Sequence, residues 1–253
     1  MSAYSDAVAA DAPSNWWRLG EATGSLFAVD AADALELNYT NVVGGFDGID
    51  TTNKSTRFQP TSKAQSPGNN DIIPTVHSVE FWAFPIDVAS TQVFFQNKVF
   101  VAGATFGAQL ALVGGLWQYA VGTGVADTGI ASVFAATANL WHHIVGTNNG
   151  ATQRLYVDGA QVASVANAGV IGPIPAVVVI GFGAAQNNFP VNALMDELAV
   201  YPSALSAARV SAHFAAADGK ALTPTVDAGA SFAQSEAILA LLNQILAAVK
   251  RAY

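Results

Sequence analysis

The chain has 253 residues, of which 52% are hydrophobic and only 11% charged, with a net charge of −8 and no cysteine. A soluble protein usually carries about 25% charged residues, so the surface here must be built largely from Ala, Ser, Thr, Asn and Gly, a composition suited to packing against neighbours. The 10 basic residues are scattered, which excludes the electrostatic footprint of a nucleic-acid binder. The lack of thiols excludes disulfides and thiolate metal sites.

Met1 to Asp6 carries neither a basic n-region nor an apolar h-region, so no secretory leader is expected. After Trp16-Trp17-Arg18-Leu19-Gly20-Glu21, short strands are expected at 26–29 and 35–39 around the turn Asp30-Ala31-Ala32-Asp33. Residues 44–70 are rich in Gly, Thr, Ser, Asn and Gln and read as loop, apart from a strand near Phe58. A loop that long inside a compact domain points to function or docking. Residues 76–84 alternate, with Val79, Phe81 and Ala83 on one face and Glu80, Trp82 and Phe84 on the other.

Strands follow at 93–101, 106–113, 115–121 and 129–134, each bounded by turn residues. Residues 139–164 read as three strands joined by Asn148-Asn149-Gly150 and Asp158-Gly159, residues that tolerate the positive φ of tight hairpins. Between those turns Leu155 and Val157 face a core, while Arg154 and Tyr156 face outward. The β-branched run at 176–180 suits a strand covered on both faces. A closing strand at 193–201 leads to Ser206, the N-cap of a helix over 207–217 pinned by Val210 and Phe214 and stopped by Asp218-Gly219. Short strands without βαβ alternation predict an antiparallel sandwich or barrel.

Residues 218–230 read as a linker stiffened at Thr223-Pro224-Thr225. Residues 231–253 then predict an amphipathic helix of about six turns. Ile238, Leu242, Ile245 and Val249 recur in a 4-3-4 spacing, with Leu239 and Leu246 alongside, giving a stripe wider than a two-stranded coiled-coil seam. It is too short and interrupted for a membrane span. Its burial requires other chains: a small symmetric bundle such as a trimer of this chain, or a groove of a capsid or tail protein.

Trp141-His142-His143-Ile144-Val145 followed by Leu155-Tyr156-Val157-Asp158-Gly159 resembles the signature of laminin-G-like domains of the concanavalin A-like lectin and glucanase superfamily, of the kind found in bacteriophage virion proteins. Trp16 to Glu21, Val79 to Phe84, and Asp196-Glu197-Leu198-Ala199-Val200-Tyr201 with the turn at Pro202 to Ser206 resemble further elements of that family. The resemblance implies a jelly-roll β-sandwich over 1–217, with Trp17 packed beneath it, then the linker 218–230 and the docking or oligomerisation helix 231–253. It also implies a Ca²⁺ held by Asp196 with Asp30 or Asp33, since hard oxygen ligands suit that ion. Glycanases of the family carry paired carboxylates in an E-x-D-x-x-E spacing, which does not occur here, so no enzyme is expected. Adjacent Asp196 and Glu197 are expected on opposite faces of their strand, unable to act as a pair. His142 and His143 likewise diverge, one packed and one on the surface. For sugar binding, the candidates are Trp117 and Tyr119 on a strand and Asn187 and Asn188 on a loop. The composition, the tail and the missing acid pair point to a structural protein of a virion, such as a bacteriophage capsid decoration, head-fibre or tail component. The alternative is a soluble carbohydrate-binding module or adhesin that meets host or environmental glycans.

Overall fold

Ser2 caps helix α1 (Ala3–Ala10), an element the sequence reading lacks: Ser2 Oγ accepts from the Ser5 N–H, and Ser5 Oγ accepts from the Ser2 N–H at 2.9 Å. Two end donors are thereby satisfied reciprocally. The computed structural model describes residues 2–50, 52–101, 104–124, 127–166, 175–182 and 189–218. Asn187, Asn188, and the linker and tail helix from residue 219 onward lie outside the described residues.

Strands β1 (Asn15–Trp17), β2 (Phe27–Ala28) and β3 (Leu37–Thr40) come first, followed by β4 (Val43–Asp47), β5 (Lys54–Phe58) and β6 (Lys63–Asn70). Of the last three, β5 is the strand expected near Phe58, while β4 and β6 take the place of the loop expected on either side of it. Their sequences are poor in β-branched residues, so propensity hides them, and they are held by pairing: β5 against β16 (Ala193–Tyr201), β6 between β3 and β15 (Ala176–Ile180). Between them run β7 (Val76–Pro85), β8 (Gln92–Val101), β9 (Ala104–Val113), β10 (Leu116–Thr123), β11 (Asp127–Ala135), β12 (His142–Asn149), β13 (Thr152–Val157) and β14 (Ala160–Ala166). Helix α2 (Ala207–Ala216) follows β16 and is capped by Ser206 through the Arg209 N–H, as the sequence predicts.

The strands form two antiparallel sheets that pack face to face as a β-sandwich. One runs β14-β13-β12-β7-β16-β5-β4, with β1 added against β16; the other runs β11-β10-β9-β8-β15-β6-β3-β2. Trp17, Phe58, Phe81, Phe94, Leu110, Trp117, Tyr119, Ile144 and Leu155 pack between them. A second apolar cluster covers the outer face of the first sheet, where Tyr4 and Val8 of α1 and Val210 of α2 meet Trp82, Phe84, Tyr156, Leu194 and Tyr201. The alternation in β7 therefore sorts its side chains between two cores, and Tyr156 faces away from the inner one yet is buried in the other. Among the described residues no helix is long and apolar enough to cross a membrane.

The meander keeps its predicted turns. Asp158 and Gly159 adopt φ of 51° and 79°, both in the left-handed region. A Cβ at Gly159 would also lie 3.0 Å from Phe214 Cβ of α2. Gly159→Ala should therefore cost about 1–2 kcal/mol, read as a lower denaturation midpoint with an unchanged slope.

Candidate functional site

The outer face of the second sheet differs from that of the first, since no described helix packs on it. With Leu110, Trp117, Tyr119 and Val178 turned inward, alternation turns Gln109, Gln118 and Val179 outward. Strand register then sets one continuous row across seven strands: Asn38, Gln65, Val179, Gln96, Gln109, Ala120 and Gly129. Gln118 sits beside this row, between Ala111 and Ala131. Gln65 Oε1 accepts from Lys63 Nζ at 2.7 Å. Toward one end, Lys98 reaches Asp127 at 2.6 Å; the positions between them in that row are Gly107 and Gly122, whose lack of side chains leaves room for the lysine. At the middle of that row Val179 is fully buried and Gln96 is 3% exposed, so the accessible carboxamides are Asn38 and Gln65 on one side and Gln109 and Gln118 on the other, groups that both donate and accept hydrogen bonds, beside small residues and a closed ion pair.

Trp117 and Tyr119 are not on that face. They are 1% and 0% exposed, packed between the sheets, and Tyr119 Oη meets His77 Nε2 at 2.5 Å. Neither ring can stack on a sugar from the open face, which corrects the expectation for both. Burial lowers the His77 pKa to about 4 despite its bond to the Pro74 carbonyl, so at neutral pH it is an uncharged partner for the tyrosine. The alternation Trp117, Gln118, Tyr119, Ala120, Val121 already carried the signal: the large apolar residues share the inward face, and Gln118 takes the outward one.

Asp30 is used by the backbone. Its Oδ1 accepts from the N–H groups of Trp16, Ala32 and Asp33, and its Oδ2 from Asn15 Nδ2. Asp33 lies on the wall of a cavity of about 510 Å³, with Asn15, Asp71 and Pro74. Asp196 sits elsewhere, fully buried, its Oδ2 accepting from the Ile49 N–H at 2.8 Å.

Beside it the structure brings together a pair that the sequence reading separates. A β-bulge interrupts the pairing of β16 with β7 between Asp196 and Ala199, and Glu197 takes φ of 53°. One extra residue in the strand breaks the alternation, so both carboxylates face Asn53, whose Nδ2 lies 3.5 Å from Asp196 Oδ1 and 3.0 Å from Glu197 Oε1. Arg18 closes the group: its guanidinium donates to Glu197 Oε1 at 2.7 Å and to Asp50 Oδ2 at 3.0 Å, and the Trp16 indole N–H donates to Glu197 Oε2 at 2.7 Å. Burial, reinforced by the charge of Glu197, holds the Asp196 carboxyl well above the usual range. Burial likewise pushes Glu197 up to about 7, against the pull of Arg18.

Calcium requires six to eight oxygen ligands. Among the described residues no three His, Asp or Glu side chains are grouped to hold a metal, and Asp30, Asp33 and Asp196 do not converge. The carboxylates around Asp196 face N–H donors and a guanidinium, a donor set that does not fit a calcium cage. Arg18 supplies the positive charge instead.

A second buried polar group lies under the helices. Glu80, fully buried, accepts from Tyr4 Oη at 3.0 Å and Tyr201 Oη at 2.7 Å, and pairs with His143 Nε2 at 2.7 Å and His213 Nδ1 at 3.0 Å. His213 Nε2 continues to Asp11 at 2.9 Å. His143 and His142 do lie on opposite faces, yet both are buried, because α2 covers the face of the strand that was expected to meet water. Glu80 was legible only as the polar member of an otherwise apolar face.

The family follows from the chain itself. Residues 58–211 match the family described as concanavalin A-like lectin/glucanases superfamily. The chain belongs to this superfamily. No curated protein matches it. Among solved structures, domain 4 of AbnA, a GH43 extracellular arabinanase from Geobacillus stearothermophilus, in complex with arabinotriose, is similar at TM-score 0.62 and 16% identity, over 79% of this chain and 97% of that one. The binding domain of Paraclostridial Mosquitocidal Protein 1 is similar at TM-score 0.61 and 18% identity, over 79% of this chain. The receptor binding domain of botulinum neurotoxin mosaic serotype C/D is similar at TM-score 0.58 and 12% identity, over 81%. The chain spans about half the length of these two toxin domains, 52% and 51%. At such identities the likeness shows a shared lectin-like fold.

Proposed function

We propose that this protein is a non-enzymatic carbohydrate-binding domain displayed on a larger assembly, a virus particle of the bacteriophage kind being the reading its sequence favours. The observation that carries the binding role is the set of accessible amides Asn38, Gln65, Gln109 and Gln118 on a sheet face that no described helix covers. Carboxamides can satisfy the paired donors and acceptors of neutral sugar hydroxyls without a charge of their own. The non-enzymatic reading is supported by the acidic residues: Glu80, Asp50, Asp196 and Glu197 are each 0% exposed and engaged with protein donors. Glycoside hydrolysis needs two carboxyl groups flanking the scissile bond. The similar AbnA domain, solved with arabinotriose, supports the same role by analogy of fold alone.

A glycan array tests the reading: the protein should retain neutral glycans and release no reducing ends from them. Retention of none, or hydrolysis of a retained glycan, overturns it. The display role rests on the apolar stripe of 238–249. Deleting residues 231–253 should leave a folded sandwich of monomer mass by light scattering that no longer assembles. Unchanged mass and unchanged particle occupancy would remove the assembly role and leave a free binding module.

A further inference from the structure

One end of the sandwich holds a cavity of about 510 Å³ that glycan binding at the amide face does not involve. Four separate pieces of chain enclose it: Ser14 and Asn15 at the start of β1, Asp33 in the turn before β3, residues 71–75 leading into β7, and Pro202 directly after β16. Ile72, Ile73, Pro74 and Pro202 give it apolar walls, and Ile73 is only 2% exposed.

Three polar groups on these walls are unmet acceptors. Asn15 is 3% exposed, and its Nδ2 donates to Asp30 Oδ2 at 2.7 Å. A carboxylate oxygen only accepts, so the orientation of the amide is settled and Oδ1 is directed away from Asp30. Among the described residues nothing donates to that Oδ1, and it is not sealed off from the cavity that Asn15 walls. A polar side chain held this deep normally has both its ends engaged. The Asp33 and Asp71 carboxylates on the same walls also meet no donor or cation among the described residues. No Lys, Arg or His side chain lines the cavity.

We propose that this cavity binds an organic cation: a guanidinium or primary ammonium group carried on an aliphatic stem, as on the arginine or lysine side chain of a partner polypeptide or on a free polyamine. Positive charge and N–H donors are what its walls lack, and such a head group supplies both. A guanidinium presents five donors in a flat fork, enough for two carboxylates and the Asn15 oxygen together; an ammonium has three, one for each. A bare metal ion would leave the apolar walls unused, whereas the stem packs against Ile72 and Pro202. The volume lies within the roughly 300–1,000 Å³ range of ligand cavities, and the net charge of −8 favours the approach of a cation. The site stands apart from the glycan reading, since Asn38, Gln65, Gln109 and Gln118 do not line it.

The test is a titration of ¹⁵N-labelled full-length protein with 1-butylguanidine, followed through the assigned backbone N–H resonances of Asp33, Asp71, Ile72 and Ile73. These should shift saturably, with a dissociation constant on the order of 1 mM, the range of a pair of solvent-exposed ion pairs. Binding should weaken as salt rises from about 0.01 M to about 0.15 M. Butylurea has the same stem and shape without the charge and should shift nothing. Asp33→Asn and Asp71→Asn, both at exposed positions, should each weaken binding about threefold and together about tenfold, at an unchanged melting temperature. Spermidine and N-acetyl-arginine-N-methylamide separate the two sources, the tighter binder marking a free polyamine or a polypeptide side chain. No saturable shift with butylguanidine overturns the proposal, as does a matching shift with butylurea or an unchanged affinity in the double variant. Calcium moving these resonances where butylguanidine moves none would overturn it in favour of a metal ion. Should the double variant not fold, Pro202→Lys, which tethers an ammonium at the cavity wall, should block butylguanidine, and unimpaired binding there overturns the proposal by itself.

Discussion

Replacing Glu80 with alanine should cost about 3–5 kcal/mol, the penalty for breaking a buried ion pair by removing one partner. Glu80 is the point at which α1, α2, β7, β12 and β16 meet, through Tyr4, His213, His143 and Tyr201. Its loss leaves two phenolic hydroxyls and two imidazoles buried without their acceptor, so both helices should loosen along with the global destabilisation. Glu80→Gln keeps the shape and one acceptor oxygen and should cost less. The pH dependence has a definite sign. Burial opposes the charge on Glu80, but the bonds from His143 and His213 win and hold its carboxyl far below 4.5, so its contribution is present above that value and is lost as pH falls through the folded one. Burial also opposes the charge on His213, but Glu80 wins and raises it above 6.5, so that contribution is complete below 6.5 and is lost as pH rises through the folded value. The clamp should be strongest between those limits. Urea unfolding across this range checks it, with hydrogen exchange in α1 and α2 reporting the local loosening.

Replacing Arg18 with methionine should have an effect of similar size, about 3–5 kcal/mol near neutral pH. Methionine keeps an apolar stem but removes the guanidinium, which lies 5.2 Å over the Trp16 ring and, among the described residues, is the only cation in the hydrogen-bond group of Asp50, Asp196 and Glu197. Glu197 titrates at about 7 in the folded protein, against an ordinary 4.5. The folded state therefore holds more protons over that window, and this group's contribution to stability declines as pH rises from about 4.5 to about 7. Without Arg18 the decline should steepen and extend to higher pH. Comparing wild type and variant at about pH 5 and about pH 8 should show the larger difference at the higher pH. Equal differences at the two values would mean that Arg18 acts through packing and not through charge.

The fold was legible where local chemistry and tertiary position agree. Asp158-Gly159 requires positive φ, and Val79, Phe81 and Ala83 alternate with Glu80, Trp82 and Phe84; both survive intact in the structure. Strand β5 was marked near Phe58, but β4 and β6 were not legible: Lys63 to Asn70 contains no β-branched residue and owes its strand to the neighbours on either side. Helix α1 was marked only by the Ser2 and Ser5 caps and a run of alanines, a weak signal beside the aromatics that follow. The acidic pair illustrates a harder limit. Strict alternation separates Asp196 from Glu197, and nothing local announces the bulge that turns both toward Asn53. The candidate face suffered from attention to aromatics: Trp117 and Tyr119 belong to the core, while Gln118 of the same strand and Gln109 of its neighbour turn outward and carry no such mark. Their alignment depends on register across the sheet, which a linear pattern does not contain.

The central claim is that carbohydrate is bound through the amides of the second sheet. The most direct measurement is calorimetric titration of wild type and a Gln109→Ala, Gln118→Ala double variant with the glycan best retained on the array. Both residues are half-buried on the outer face, so the variant should keep its melting temperature while its affinity falls at least about tenfold. A variant that binds as tightly as wild type, with the same melting temperature, would contradict the assignment of that face.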